Sequence, residues 1–79
     1  ENNIVIYPNP VSDILNISYQ NLNIEQITIY NSIGKQINKH YEFNDEFSFN
    51  TQSLPEGVYF IKFITSDNTQ ITKPFSVIK

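Results

Sequence analysis

The sequence predicts an all-β domain, a sandwich of about seven short antiparallel strands. Three observations predict it. Turn signals built from Pro, Gly, Asn, Asp and Ser recur about every 8–12 residues, the spacing of a two-sheet sandwich. The segments between them alternate apolar and polar side chains with the two-residue period of a half-buried strand. Ala, the best helix former, is absent, while Ile, Tyr and Phe are plentiful.

The first strand covers residues 4–7 and is ended by Pro8-Asn9-Pro10. Proline fixes φ, lacks an N–H and biases the preceding residue toward extended geometry, so two prolines around one Asn stop a strand and redirect the chain. The second strand, 13–19, places Leu15, Ile17 and Tyr19 on one face and Asn16 and Ser18 on the other. Gln20-Asn21-Leu22-Asn23 is a loop. The third strand, 25–31, turns Ile27 and Ile29 inward, and Ser32-Ile33-Gly34-Lys35 reverses the chain into the fourth, 36–41. After a turn at Asn44-Asp45, the fifth strand, 46–51, turns Phe47 and Phe49 inward.

The sixth strand, 57–65, presents Tyr59, Ile61 and Phe63 to the core. Ser66-Asp67-Asn68 makes a hairpin into the seventh, 69–78, whose inward residues are Phe75 and Val77. Pro74 cannot donate to a ladder, so this last strand is expected at a free edge. Leu54-Pro55-Glu56-Gly57-Val58-Tyr59 before the sixth strand resembles the tyrosine corner of immunoglobulin-like sandwiches. Leu54 and Gly57 would set the turn, and Tyr59 would bury its ring while its hydroxyl bonds nearby backbone. The expected fold is therefore an immunoglobulin-like β-sandwich. Residues 1–79 are read as one domain, with Glu1-Asn2-Asn3 as the end of an upstream linker.

Size and composition narrow the function. A chain of 79 residues has room for one small core and little for a deep enzyme cleft. Five Lys, no Arg and eight acidic residues give a net charge of −3, which does not supply the basic face that nucleic acid requires. Without Cys there is neither a disulfide framework nor a thiolate metal site. No apolar run approaches the roughly 18 residues of a membrane span. There is no signal-peptide pattern and no initiator Met, so the chain is expected to be part of a longer polypeptide.

Few residues carry chemistry. His40 is the lone histidine and has no nucleophile or further ligand beside it in the sequence. Asp45 and Glu46 are neighbours on a strand and point to opposite faces, so they do not form a catalytic pair. Asp67-Asn68 reads as a hairpin, not the spaced oxygen set that calcium needs. No cofactor, metal or catalytic activity is expected. Tyr7, Tyr30, Tyr41 and Phe60 are candidates for outer faces, and Phe60, Lys62 and Ile64 share the outer face of the sixth strand. This leaves a carbohydrate-binding or adhesion module as an alternative, although Trp, the favoured sugar platform, is absent.

Four phrases occur in a set order: residues 5–13 with Tyr7-Pro8-Asn9-Pro10, residues 27–35, Leu54-Pro55-Glu56-Gly57-Val58-Tyr59, and residues 73–79. Together they resemble the type A C-terminal sorting domain of the type IX secretion system of the Bacteroidetes. The resemblance spans essentially the whole chain and implies an immunoglobulin-like sandwich without catalysis. It implies a signal domain that follows a cargo exported to the periplasm. The outer-membrane translocon recognises such a domain and a gingipain-like surface sortase removes it, leaving the cargo at the cell surface or in the medium. By position, the motif residues that would be recognised are Pro8, Asn9, Pro10, Gly57, Tyr59, Lys73, Phe75, Val77, Ile78 and Lys79. Recognition is expected at an open edge of the last strand, with Phe75, Val77 and Ile78 supplying apolar contacts. Pro74 departs from the family's usual basic or apolar residue there.

Overall fold

The computed structural model describes residues 4–20, 23–41 and 46–79. Seven strands form two antiparallel sheets: β1 (Ile4–Tyr7), β2 (Ile14–Tyr19), β3 (Ile24–Asn31), β4 (Gln36–Tyr41), β5 (Glu46–Asn50), β6 (Gly57–Thr65) and β7 (Gln70–Val77). One sheet has the order β1-β2-β5 and the other β4-β3-β6-β7. The expected immunoglobulin-like sandwich is the observed architecture. Glu1-Asn2-Asn3, Asn21-Leu22 and the Asn44-Asp45 turn lie outside the described residues, as do the side chains of His40, Tyr41 and Glu46.

Alternation decides which side chains meet between the sheets. Leu15, Ile17, Tyr19 and Phe49 from the first sheet face Ile27, Ile29, Tyr59, Ile61, Phe63, Phe75 and Val77 from the second, all within one buried cluster. Each is on the face its two-residue period assigns. Thr28 breaks the pattern, being buried on the outer face of β3. The Gln26 side-chain amide donates to its hydroxyl at 3.0 Å. Beside it, the Lys62 ammonium stands 5.4 Å from the centre of the Tyr30 ring, with the lysine stem lying along the sheet.

Several boundaries differ from the periodicity by one residue, and the reasons are hydrogen bonds. β5 stops at Asn50 rather than Thr51 because the Thr51 N–H is drawn to the carbonyl of Asp13 at 2.8 Å, outside the ladder. β7 stops at Val77 rather than Ile78 because its ladder with β6 ends at the Gly57–Val77 pair. β7 begins at Gln70 because Thr69 closes the hairpin, its carbonyl accepting from Thr65 N–H at 2.9 Å. β2 begins at Ile14 and β3 at Ile24, one later and one earlier than the alternation alone placed them.

The Pro8-Asn9-Pro10 turn is a crossing between sheets. Up to Tyr7 the chain pairs with β2. After the turn, Val11 forms a parallel bridge with Val77 of the other sheet. Val11 N–H donates to Ser76 carbonyl at 2.8 Å, and Ile78 N–H donates to Val11 carbonyl at 2.9 Å. One short segment thus belongs to both layers and closes that side of the sandwich. Val11 itself is 0% exposed.

Candidate recognition site

Strand registers show where the sequence motifs gather. Tyr7 pairs with Asn16, Ile14 with Asn50, Gly57 with Val77, and Asn31 with Tyr59. The proline turn, the β3–β4 hairpin, the β5–β6 connection and the residues after β7 therefore all lie at one end of the sandwich. Ile4 pairs with Tyr19, Ile24 with Thr65 and Ile64 with Gln70, so β1 begins at the opposite end with the β6–β7 hairpin. Nine residues of β6 at about 3.3 Å each span roughly 30 Å, in keeping with a long axis of 35 Å.

The motif end is stitched by contacts between distant parts of the chain and by local bonds within its turns. The Asn9 side-chain carbonyl accepts the Ser76 N–H at 3.0 Å. The Asp13 carbonyl accepts both the N–H and the hydroxyl of Thr51, at 2.8 and 2.7 Å. The Lys79 ammonium donates to the carbonyls of Thr51 and Gln52 at 3.2 and 3.1 Å. The Tyr59 hydroxyl donates to the Pro55 carbonyl at 2.6 Å, and its buried ring stacks on Phe75 with centroids 5.6 Å apart. The tyrosine corner predicted from Leu54 to Tyr59 is thus present. Its turn is also held by Leu54 N–H donating to Thr51 carbonyl at 3.0 Å.

Nine of the ten predicted recognition residues separate into two groups, and Lys73 stands apart from both. Pro8, Asn9, Pro10, Ile78 and Lys79 are exposed and Gly57 is half-buried, all at the motif end. Tyr59, Phe75 and Val77 are core residues; Phe75 and Val77 are each 1% exposed. The expectation that Phe75 and Val77 offer apolar contacts at an open edge is therefore corrected: their side chains hold the sheets together. Lys73 lies midway along β7, opposite Ile61 and half-buried on the inward-facing side.

β7 is an edge strand, as Pro74 required. Ser76 aims its N–H at Asn9 and its carbonyl at Val11, away from β6. Peptide groups alternate along a strand, so Pro74, two residues back, also turns its nitrogen to the outside, where no ladder donor is lost. This edge is poorly suited to accept another strand. Its end is occupied by Asn9 and Val11, its middle carries Pro74, and Lys73 points inward. Prolines and inward-pointing charges are devices that blunt edges.

Sequence reasoning missed Thr51 and Val11 as the joints of this end. Both are 0% exposed. A lone Thr after a strand and a lone Val after a proline turn carry no periodic signal. Their importance arises from partners 38 and 66 residues away. Of the outer-face aromatics, Tyr30 and Phe60 stand opposite each other, half-buried, with Lys62 over the Tyr30 ring, Tyr7 is exposed on the other sheet, and the Tyr41 side chain lies outside the described residues. Among the described residues no group of three or more His, Cys, Asp or Glu side chains is placed to hold a metal. Among them, too, no helix is long and apolar enough to cross a membrane.

Among solved structures the chain is similar to part of PorZ, described as an essential bacterial surface component of the type IX secretion system of Porphyromonas gingivalis. The TM-score is 0.82 at 19% identity, over 96% of this chain and 11% of PorZ. It is also similar in fold to CopC from Methylosinus trichosporium OB3b, with a TM-score of 0.53 at 14% identity, over 94% of this chain and 90% of CopC. Among curated proteins the sequence has no significant match. The profile of the family described as the secretion system C-terminal sorting domain matches residues 5–78, so the chain belongs to the C-terminal sorting domains of type IX secretion.

Proposed function

We propose that this domain is the export signal of a cargo joined before Ile4, read by the outer-membrane type IX translocon after the cargo reaches the periplasm. The surface read is the motif end of the sandwich, with Pro8, Asn9, Pro10, Gly57, Ile78 and Lys79 at hand. Tyr59, Phe75 and Val77 act by holding that surface in shape, and Lys73 by guarding the β7 edge. A gingipain-like sortase then cuts ahead of Ile4, and the cargo stays at the cell surface or enters the medium. The domain contributes no catalysis of its own.

The observation that carries this reading is the family match across residues 5–78, joined to the gathering of its motifs at one end. Such a surface exists only in the folded domain, because its parts come from residues 8–13, 51–57 and 76–79. The test is a fusion of residues 1–79 to the C-terminus of a periplasm-exported reporter in a host with the type IX system. The fusion is expected at the surface or in the medium, and removal of residues 73–79 is expected to leave it in the periplasm. An intact fusion that stays in the periplasm of a competent host rejects the reading.

A further inference from the structure

No motif marks Thr51, yet three separate segments of the motif end converge on it. It lies just after β5 and is 0% exposed. Its N–H and its hydroxyl both donate to the Asp13 carbonyl, at 2.8 and 2.7 Å. Its own carbonyl accepts the Leu54 N–H at 3.0 Å and the Lys79 ammonium at 3.2 Å. One residue thus joins the segment after the proline turn, the tyrosine corner and the residues after β7.

The Thr51–Gln52 peptide group is held at both poles. Its oxygen has two donors, which occupy its two lone pairs. Its N–H, that of Gln52, donates to the Asn50 side-chain carbonyl at 2.8 Å. On the other side of Thr51, two donors grip one acceptor, and a β-branched side chain bonded in this way has little rotamer freedom. The direction of the Thr51 carbonyl is therefore set from the three-stranded sheet. That carbonyl receives Lys79, which follows a strand of the other sheet.

Resting on the sorting reading, we infer that Thr51 is a positioning residue for recognition. It sets where Lys79 and residues 54–59 stand relative to the turn at residues 8–10, and the translocon reads that placement. Being buried, Thr51 touches no partner itself and acts through these neighbours. The competing account is that Thr51 adds stability and nothing else. Thr65 supplies the matched comparison. It is 6% exposed, lies at the opposite end of the sandwich in register with Ile24, and its hydroxyl also serves a turn, bonding Asp67 and Thr69. A stability role predicts equal effects from the two residues; a positioning role predicts an effect from Thr51 alone.

The test uses the reporter fusion, with export measured per folded molecule at a temperature below the wild-type melt. Thr51→Val keeps the side-chain shape and removes the hydroxyl; Thr51→Ser restores it. Thr51→Val is expected to export about fivefold less, the worth of one net hydrogen bond, and to exchange its Leu54 N–H faster. Thr51→Ser is expected to export like wild type. Thr65→Val, with a comparable fall in melting temperature, is expected to export normally. Asn50→Ala loosens the same peptide group from an exposed position, so its fold is kept, and it is expected to export about twofold less. Wild-type export by Thr51→Val, unchanged Leu54 exchange in it, or equal export losses from Thr51→Val and Thr65→Val overturn the positioning role. Should Thr51→Val melt below the assay temperature, Asn50→Ala decides, and its normal export overturns the role. These results leave the sorting reading intact. Retention of the wild-type fusion in the periplasm rejects that reading and the positioning role with it.

Discussion

The two ends of the sandwich are built differently. At the β6–β7 hairpin the side-chain hydrogen bonds are local. Thr65 hydroxyl donates to the Asp67 carboxylate, Thr69 N–H donates to Thr65 Oγ1 at 3.1 Å and to Asp67 Oδ1 at 3.2 Å, and Asn68 takes the left-handed conformation at φ 71°. The side-chain bonds there reach no more than four residues, and the long-range tie is the backbone bond from Ser66 N–H to the Asn23 carbonyl at 2.8 Å. At the motif end the side-chain bonds of Asn9, Thr51 and Lys79 join residues 67, 38 and 28 apart. A local turn forms from its own segment; the Asn9–Ser76 and Lys79–Thr51 bonds form only when the two sheets have docked. A signal made of such long-range contacts reports that the whole domain has folded.

The strongest way to break this comparison is through the shared core. Phe75→Ala is expected to cost about 3–5 kcal/mol, a large part of the roughly 5–15 kcal/mol that a domain has. Urea unfolding followed by tyrosine fluorescence measures it. A loss below about 1 kcal/mol would mean that Phe75 does not carry the motif end.

Smaller changes probe the stitches singly. Tyr59→Phe removes one hydrogen bond and is expected to cost about 1 kcal/mol, and Asn9→Ala a similar amount. Combined, they are expected to depart from additivity by at least about 0.5 kcal/mol, since both act on the same closure of β7. Tyr59→Phe combined with Thr69→Val, at opposite ends, is expected to be additive within about 0.5 kcal/mol. Additivity in both pairs would dissolve the distinction between the ends.

Turn backbones give a matched pair. Gly34→Ala meets no atom within 4 Å, so its cost is that of a positive φ alone, about 1–2 kcal/mol. Asn68→Gly at the other hairpin is expected to change stability by only a few tenths of a kcal/mol, because both residues tolerate that region. Thermal melts of the two variants check this.

The smallest expected effect is the pH response of the local end. Hydrogen bonds from Thr65 and then Thr69 hold the Asp67 carboxyl below the usual aspartate range. A depressed carboxylate stabilises the fold fully above its unfolded-state pKa, and that contribution is lost as pH falls through the lower folded-state value. Asp67→Asn is therefore expected to lower stability slightly near neutrality and to flatten the acid limb, the difference from the parent shrinking as pH falls through the folded-state value. Denaturant midpoints across the acid range measure it, and an unchanged limb would remove Asp67 from the account.

Much of this molecule was legible in one dimension. The seven strands, the inward faces of β2, β3, β5, β6 and β7, the edge position of β7 and the Tyr59 corner all follow from alternation, turn chemistry and the missing proline donor. Those signals are local, and each segment carries its own. The family resemblance likewise rested on short phrases in order. Tertiary structure alone decided that Pro8-Asn9-Pro10 carries the chain from one sheet to the other, that Val11 and Thr51 are its joints, and that Lys79 reaches back to the β5–β6 connection. It also decided that Phe75 and Val77 are spent on the core. Such features depend on which strands become neighbours after the sheets pack, and a periodicity of two records a side chain's face but not what it will meet.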